Sequence, residues 1–196
     1  MLDRKALLPW SLYLLKSRSH RKPISWKEPC QTSGVRKTCP GMHPSTQIVQ
    51  QALDQRGVRC HVVEMSETTR SAKEAARAIG CTVAQIAKSL VFRAKDSGVA
   101  VLVIASGTNR VNEELFASYL GEGIQRADPD FVRAETGFVI GGVPPVGHPK
   151  PIRTFLDKDL FIFESIWAAA GTPYAVFQLT PSDLKTMTNG EVVGVT

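Results

Sequence analysis

Val99–Ala105 reads Val-Ala-Val-Leu-Val-Ile-Ala, an apolar run with no polar residue at alternate positions. A strand with one wet face alternates; one that does not must be covered on both faces. The run therefore calls for a layered structure with a central sheet between helices. At 196 residues the chain has room for one domain with a proper core.

The flanking pattern supplies the helices. Ser45-Thr46 precede an apolar face of Ile48, Val49, Ala52 and Leu53, and Gly57 ends the run: an N-cap, an amphipathic helix and a glycine stop. Ser71-Ala72-Lys73-Glu74 has capping-box spacing, and Ala75, Ala76, Ala78 and Ile79 continue to Gly80. Thr82 caps a brief helical turn ending at Ile86. Asn112–Leu120 is helical up to Gly121, Asp128-Pro129 starts another short helix, and Thr180-Pro181-Ser182-Asp183 opens the last.

Strand signals fall at Val58–Met65, Leu90–Ala94, Val99–Ala105, Phe138–Gly142, Ile152–Leu156, Leu160–Phe163, Ala175–Leu179 and Val192–Val195. Hairpin-like and crossover spacings both occur. The expected fold class is α/β: a single domain with a mixed central sheet surrounded by helices, not a doubly wound parallel one.

Charge divides the chain. Of 24 Lys/Arg and 18 Asp/Glu, nine basic and two acidic residues lie in 1–41, so that stretch carries +7 and the remainder −1. The body has no broad electrostatic grip for a phosphate backbone. Residues 1–44 read as a basic, poorly ordered extension and the expected functional unit is 45–196; residues 1–41 are a basic tail, a targeting piece or an extension upstream of a true start at Met42, the last favoured because periodic structure begins just after it. Ala6–Leu15 contains Pro9 and runs into Lys16–Lys22 with no small-residue cleavage pattern, so secretion is rejected. No apolar run approaches the roughly 20 residues that span a bilayer. Cys30, Cys39, Cys60 and Cys81 show neither C-x-x-C nor a zinc spacing. A cytoplasmic protein with reduced thiols, no metal and no membrane partner is expected.

Two stretches carry chemistry. In Ile86–Phe92 a single lysine, Lys88, interrupts an apolar run, and if the segment is extended Lys88, Leu90 and Phe92 share one face. Such an ammonium must find an anion or carbonyl, lower its pKa, or snorkel at a strand end. Gly141-Gly142-Val143-Pro144-Pro145-Val146-Gly147-His148 combines glycines that expose N–H groups with prolines that stiffen the path. It suits donation to a ligand carbonyl or phosphate; a tight connection between strands is the plain alternative. His148 is either a hydrogen-bonding or basic group or an exposed bystander. Ser106–Arg110 forms either a polar rim or a simple loop. No Gly-x-Ser-x-Gly elbow and no acidic pair supports covalent hydrolysis.

Ala87–Phe92, Val101–Gly107, Ala127-Asp128-Pro129, Gly137–His148 and Thr172–Thr180, in that order, resemble the YbaK/prolyl-tRNA-editing-domain family over about residues 45–196. The resemblance implies a compact mixed sheet, partly closed like a barrel, without metal or organic cofactor. It implies a trans-acting deacylase that hydrolyses the ester of a wrong amino acid on the tRNA 3′ end, with an aminoacyl-tRNA synthetase as a further candidate partner. The family's lysine falls on Lys88 and its Gly-x-x-x-Pro loop on Gly141–Pro145. Lys88 and Gly142 are then the catalytic positions, and Ser89, Ser106, Gly141, Pro144, Gly147 and His148 the substrate-binding ones. Water or a group on the substrate attacks. The alternative is a non-catalytic regulatory module that binds aminoacyl-tRNA or a nucleotide. Neither the amino acid removed nor the oligomeric state is written in the chain.

Because every core signal begins after residue 45, removal of residues 1–41 should leave the thermal midpoint and turnover unchanged. A large loss of either, by melting curve or deacylation assay, would make the extension part of the functional unit.

Overall fold

The structure, a computed structural model, describes residues 41–196. The expectations for the basic extension up to residue 40 lie outside those residues. Helices α1 (Pro44–Gln55), α2 (Ala72–Ile79), α3 (Glu113–Leu120), α4 (Pro129–Thr136) and α5 (Pro181–Thr188) surround one sheet. Its strands are β1 (Val62–Glu64), β2 (Ile86–Ala94), β3 (Ala100–Ser106), β4 (Ile124–Arg126), β5 (Arg153–Asp157), β6 (Ile166–Ala169), β7 (Ala175–Leu179) and β8 (Glu191–Val193).

The strand order is β1-β7-β6-β2-β3-β5-β8, with β4 added to β2 off this path. β2 pairs antiparallel with β3 and β4, and parallel with β6; β3–β5 and β5–β8 are parallel. The sheet is mixed, as expected, but β1 and β8 stand at opposite ends of the path, so it does not close into a barrel.

β3 explains its own sequence. Leu102 and Ile104 face a cluster containing Val49 and Leu53 of α1 and Leu184 and Met187 of α5. Val101, Val103 and Ala105 face the opposite cluster, with Phe116 of α3, Ile124 and Phe155. All five β3 residues are fully buried, so the uninterrupted apolar run is a strand covered on both sides. Phe155 anchors the second cluster: it meets Phe116 edge-on at 5.3 Å, and the Arg153 guanidinium lies 5.0 Å over its ring.

The helix signals hold at α2, whose Ser71/Glu74 capping box is formed, and at α5, where Thr180 and Asp183 form another. α1 starts differently: His43 is the N-cap, its Nδ1 accepting from the Ser45 amide, and Pro44 opens the first turn. Thr82 caps a single 3-10 turn, Val83–Gln85, before β2 begins.

Several strand expectations are corrected. Val58–Met65 contracts to Val62–Glu64 because the Gln50 side chain, from α1, takes the Cys60 carbonyl and the Val62 amide that a strand would pair. Leu160–Phe163 is not a strand; Lys158–Ile162 is a 3-10 turn started by the Asp157 carboxylate, which accepts from the Asp159 amide. Phe138–Gly142 is a turn, closed by the Gly142 N–H on the Val139 carbonyl, with Gly141 at φ +88°. β4 and β6, three and four residues long, carried no readable signal. Among the described residues no helix is long and apolar enough to cross a membrane.

Phe155→Ala should destabilise the fold by about 3–5 kcal/mol, the range for truncating a fully buried aromatic. Denaturant titration would measure it, and a loss under ~1 kcal/mol would mean that the second cluster collapses around the hole.

Candidate active site

Lys88 lies on β2 opposite Ala105 of β3, half-buried. Its Nζ donates to the backbone carbonyl of Asn109, in the loop after β3. That loop is held by Asp157, a carboxylate 1% exposed at the end of β5. Asp157 Oδ2 accepts from the Ser106 amide at 3.0 Å and from Asn109 Nδ2 at 2.8 Å; the same Nδ2 reaches Asp159 at 2.7 Å. Buried carboxylates persist only when their lone pairs are filled, and here backbone and amide donors fill them. Burial pulls the Lys88 ammonium below its ordinary pKa, and the Asp157 charge partly restores it.

Lys88 opens onto a cleft of about 400 Å³. One wall is β2 from Lys88 to Phe92; a second is the Asn109–Val111 loop; the third is apolar, with Ala127, Val132, Ile140 and Val143, and ends at Gly141. Arg126 and Glu113 approach within 3.7 Å as an exposed pair and also line it. The cation and the turn at Gly141 therefore border one concavity. A cation desolvated on one side and open to a cleft on the other is placed to meet an anionic or polarised carbonyl oxygen.

The other residues singled out in the sequence distribute unevenly. Ser89 and Gly141 line the cleft. The Gly142 N–H is engaged by Val139, its carbonyl accepts from Gly171, and an added Cβ would lie 2.8 Å from the Thr172 backbone. Gly142 thus packs the turn against the segment before β7. The Gly141 amide has no acceptor among the described residues. Pro144 is buried and offers its carbonyl to His148 Nε2 at 2.9 Å. Gly147 packs against Ile48 and Ala52 of α1, and His148 meets the Phe138 ring at 6.1 Å, so these two are on the α1 side and not in the cleft lining. Ser106 is buried, its hydroxyl donating to the Ala84 carbonyl, and does not form a rim.

The sequence marks no role for Asp157 or Arg126, and it offers Asn109 only within the Ser106–Arg110 rim or loop. The readable signal for Asp157 is an acid directly after the apolar pair Phe155-Leu156. Among the described residues no three His, Cys, Asp or Glu side chains cluster so as to hold a metal ion.

An eight-stranded mixed sheet with one desolvated lysine at a cleft, facing a glycine turn, defines a binding or hydrolytic domain. The chain belongs to the aminoacyl-tRNA editing domain family, whose model matches residues 66–187. It is 31% identical over 123 residues to "Uncharacterized protein YwhH" of Bacillus subtilis (strain 168), covering 63% of this chain and 78% of that protein. It is 26% identical over 131 residues to the "Putative Cys-tRNA(Pro)/Cys-tRNA(Cys) deacylase EbsC" of Enterococcus faecalis (strain ATCC 700802 / V583), covering 67% and 80%. Its fold matches the crystal structure of "a putative trans-editing enzyme for prolyl tRNA synthetase" with a TM-score of 0.76 and 44% identity, covering 80% of this chain and 99% of that one.

Burial lowers the His148 pKa below its ordinary 6.5; the bond to the Pro144 carbonyl raises it and Arg56 lowers it further, without reversing the shift. The unfolded chain then binds the proton more readily, so stability falls as pH drops through about 6.5 toward the depressed folded value. The thermal midpoint should decline over pH 7 to 5, and decline less in His148→Asn. Parallel curves for the two proteins would remove His148 as the cause.

Proposed function

We propose that the protein is a free-standing deacylase that acts in trans on the ester of mischarged tRNA. The observation that carries this reading is Lys88: a half-buried ammonium fixed by the Asn109 carbonyl at the edge of a cleft that ends in a glycine turn. Family membership supports the substrate class, and the names of the similar proteins point to tRNA of proline as the first candidate.

In this reading residues 45–196 are the editing unit. The Lys88 ammonium neutralises the terminal phosphate or polarises the ester carbonyl. The Gly141 amide, without an acceptor of its own, steadies the developing oxyanion, while Gly142 sets the turn that presents it. Water attacks the ester carbon, or a group on the substrate attacks first and water then opens the internal ester so formed; the acyl–oxygen bond breaks, the ribose oxygen leaves with the proton given up by the nucleophile, and the amino acid departs as the free acid. The near-neutral body fits a protein that grips chiefly the 3′ end, with a synthetase supplying further contacts. A charged-tRNA substrate is compatible with work in the cytoplasm.

Incubation with a panel of mischarged tRNAs tests this reading. Release of the amino acid from at least one, reduced ~100-fold or more in Lys88→Ala with the circular dichroism spectrum unchanged, is the expected outcome. Retention of charged tRNA with no turnover would replace the enzyme by a non-catalytic binding module. If neither occurs and Lys88→Ala only lowers the thermal midpoint, Lys88 is structural.

A further inference from the structure

The ladder along β2 has a gap. On the side away from β3, β2 pairs with β6 at Ile86 and Ala87 and with β4 from Phe92 to Ala94, and with nothing between. Antiparallel strands direct both polar groups of successive residues to alternate sides. Ala94 N–H goes to Val99 on the β3 side, and Lys95 N–H to Gly123 on the β4 side. Counting back, Ser89 and Val91 point their backbone groups away from β3, into the gap. The Ser89 carbonyl and the Val91 N–H have no partner among the described residues. Both residues line the cleft. Ser89 adds an Oγ that is shielded from solvent and likewise unpartnered. Unpaired polar groups at a half-buried strand are costly enough to need an explanation.

The chemistry of the gap selects its occupant. β4 and β6 block it at either end, so an added peptide strand does not fit. A carbonyl at one residue and an N–H two residues on present an acceptor and a donor side by side in one plane. An ammonium needs acceptors only. A flat ring with an adjacent donor and acceptor on its edge matches, and adenine has one in N6–H and N1. The apolar wall of Val132, Ile140 and Val143 suits the faces of such a ring, and about 400 Å³ is enough to admit it.

We propose that the open step of β2 reads the terminal adenine of the tRNA 3′ end: the Ser89 carbonyl accepts from N6–H and the Val91 N–H donates to N1. The inference rests on the deacylase reading of the same cleft and names the group that aligns the ester with Lys88.

Binding of the trinucleotide CCA to the full chain, followed by calorimetry or NMR titration, tests it without requiring turnover. Substituting 7-deazaadenosine for the last base keeps both edge groups and should leave affinity unchanged. Inosine reverses donor and acceptor, purine riboside deletes the donor, and each should weaken binding about tenfold or more. Val91→Pro removes the outward N–H without removing a β3 pairing and should abolish the preference for adenosine over inosine, provided its dichroism matches the parent. Should that variant not fold, the base series still decides. Equal binding of all four trinucleotides, or binding of none, overturns the proposal. The mischarged-tRNA panel reports separately, so adenine recognition can fail while deacylation stands.

Discussion

The Asp157 carboxylate is the fixed point of this molecule's chemistry. It is buried at the end of β5 and filled by the Ser106 amide, the Asn109 side chain and the Asp159 amide. Each such charge-assisted bond contributes on the order of 1.5–3 kcal/mol, and losing a donor leaves a buried charge exposed to its desolvation cost. One group thereby ties together the end of β3, the loop that follows it and the 3-10 turn after β5. The Asn109 carbonyl is held where Lys88 can reach it, so the cation is positioned by a backbone oxygen and not by a neutralising carboxylate. Its positive charge stays available to the cleft.

The second constraint is the mixed pairing of β2. Its parallel partner β6 and antiparallel partner β4 approach from opposite ends and stop short of one another. A sheet with this connectivity leaves a strand edge inside the domain instead of at its margin. Edges at margins invite aggregation; this one is enclosed, short and lined by a cleft. The lysine side chain and the unpaired main chain meet within the same few residues of one strand.

Legibility followed the range of the interactions involved. The capping box at Ser71/Glu74, the glycine stop at Gly80 and the doubly covered β3 run are written within a few residues, and each appeared as read. Phe138–Gly142 and Leu160–Phe163 misled because their apolar content matched a strand. The actual outcome turned on Gly142 bonding to Val139 and on Asp157 capping the turn. Ser106 and His148 have side chains suited to a site, yet the fold engages the first with the Ala84 carbonyl and packs the second by Phe138. A polar side chain in a loop carries no local mark of whether it faces a ligand or a neighbour.

By itself the sequence determined the layered α/β class, the singular lysine within an apolar strand and the stiff glycine-proline loop, because these follow from residue type and short-range periodicity. Only the tertiary structure decided that Asp157 and Asn109 hold Lys88 in place, and that Gly141, not Gly142, keeps a free amide. It alone decided that β2 is left unpaired between β4 and β6. Those outcomes depend on which segments, tens of residues apart, come to lie side by side, and strand pairing at that range leaves no trace in the local order of residues.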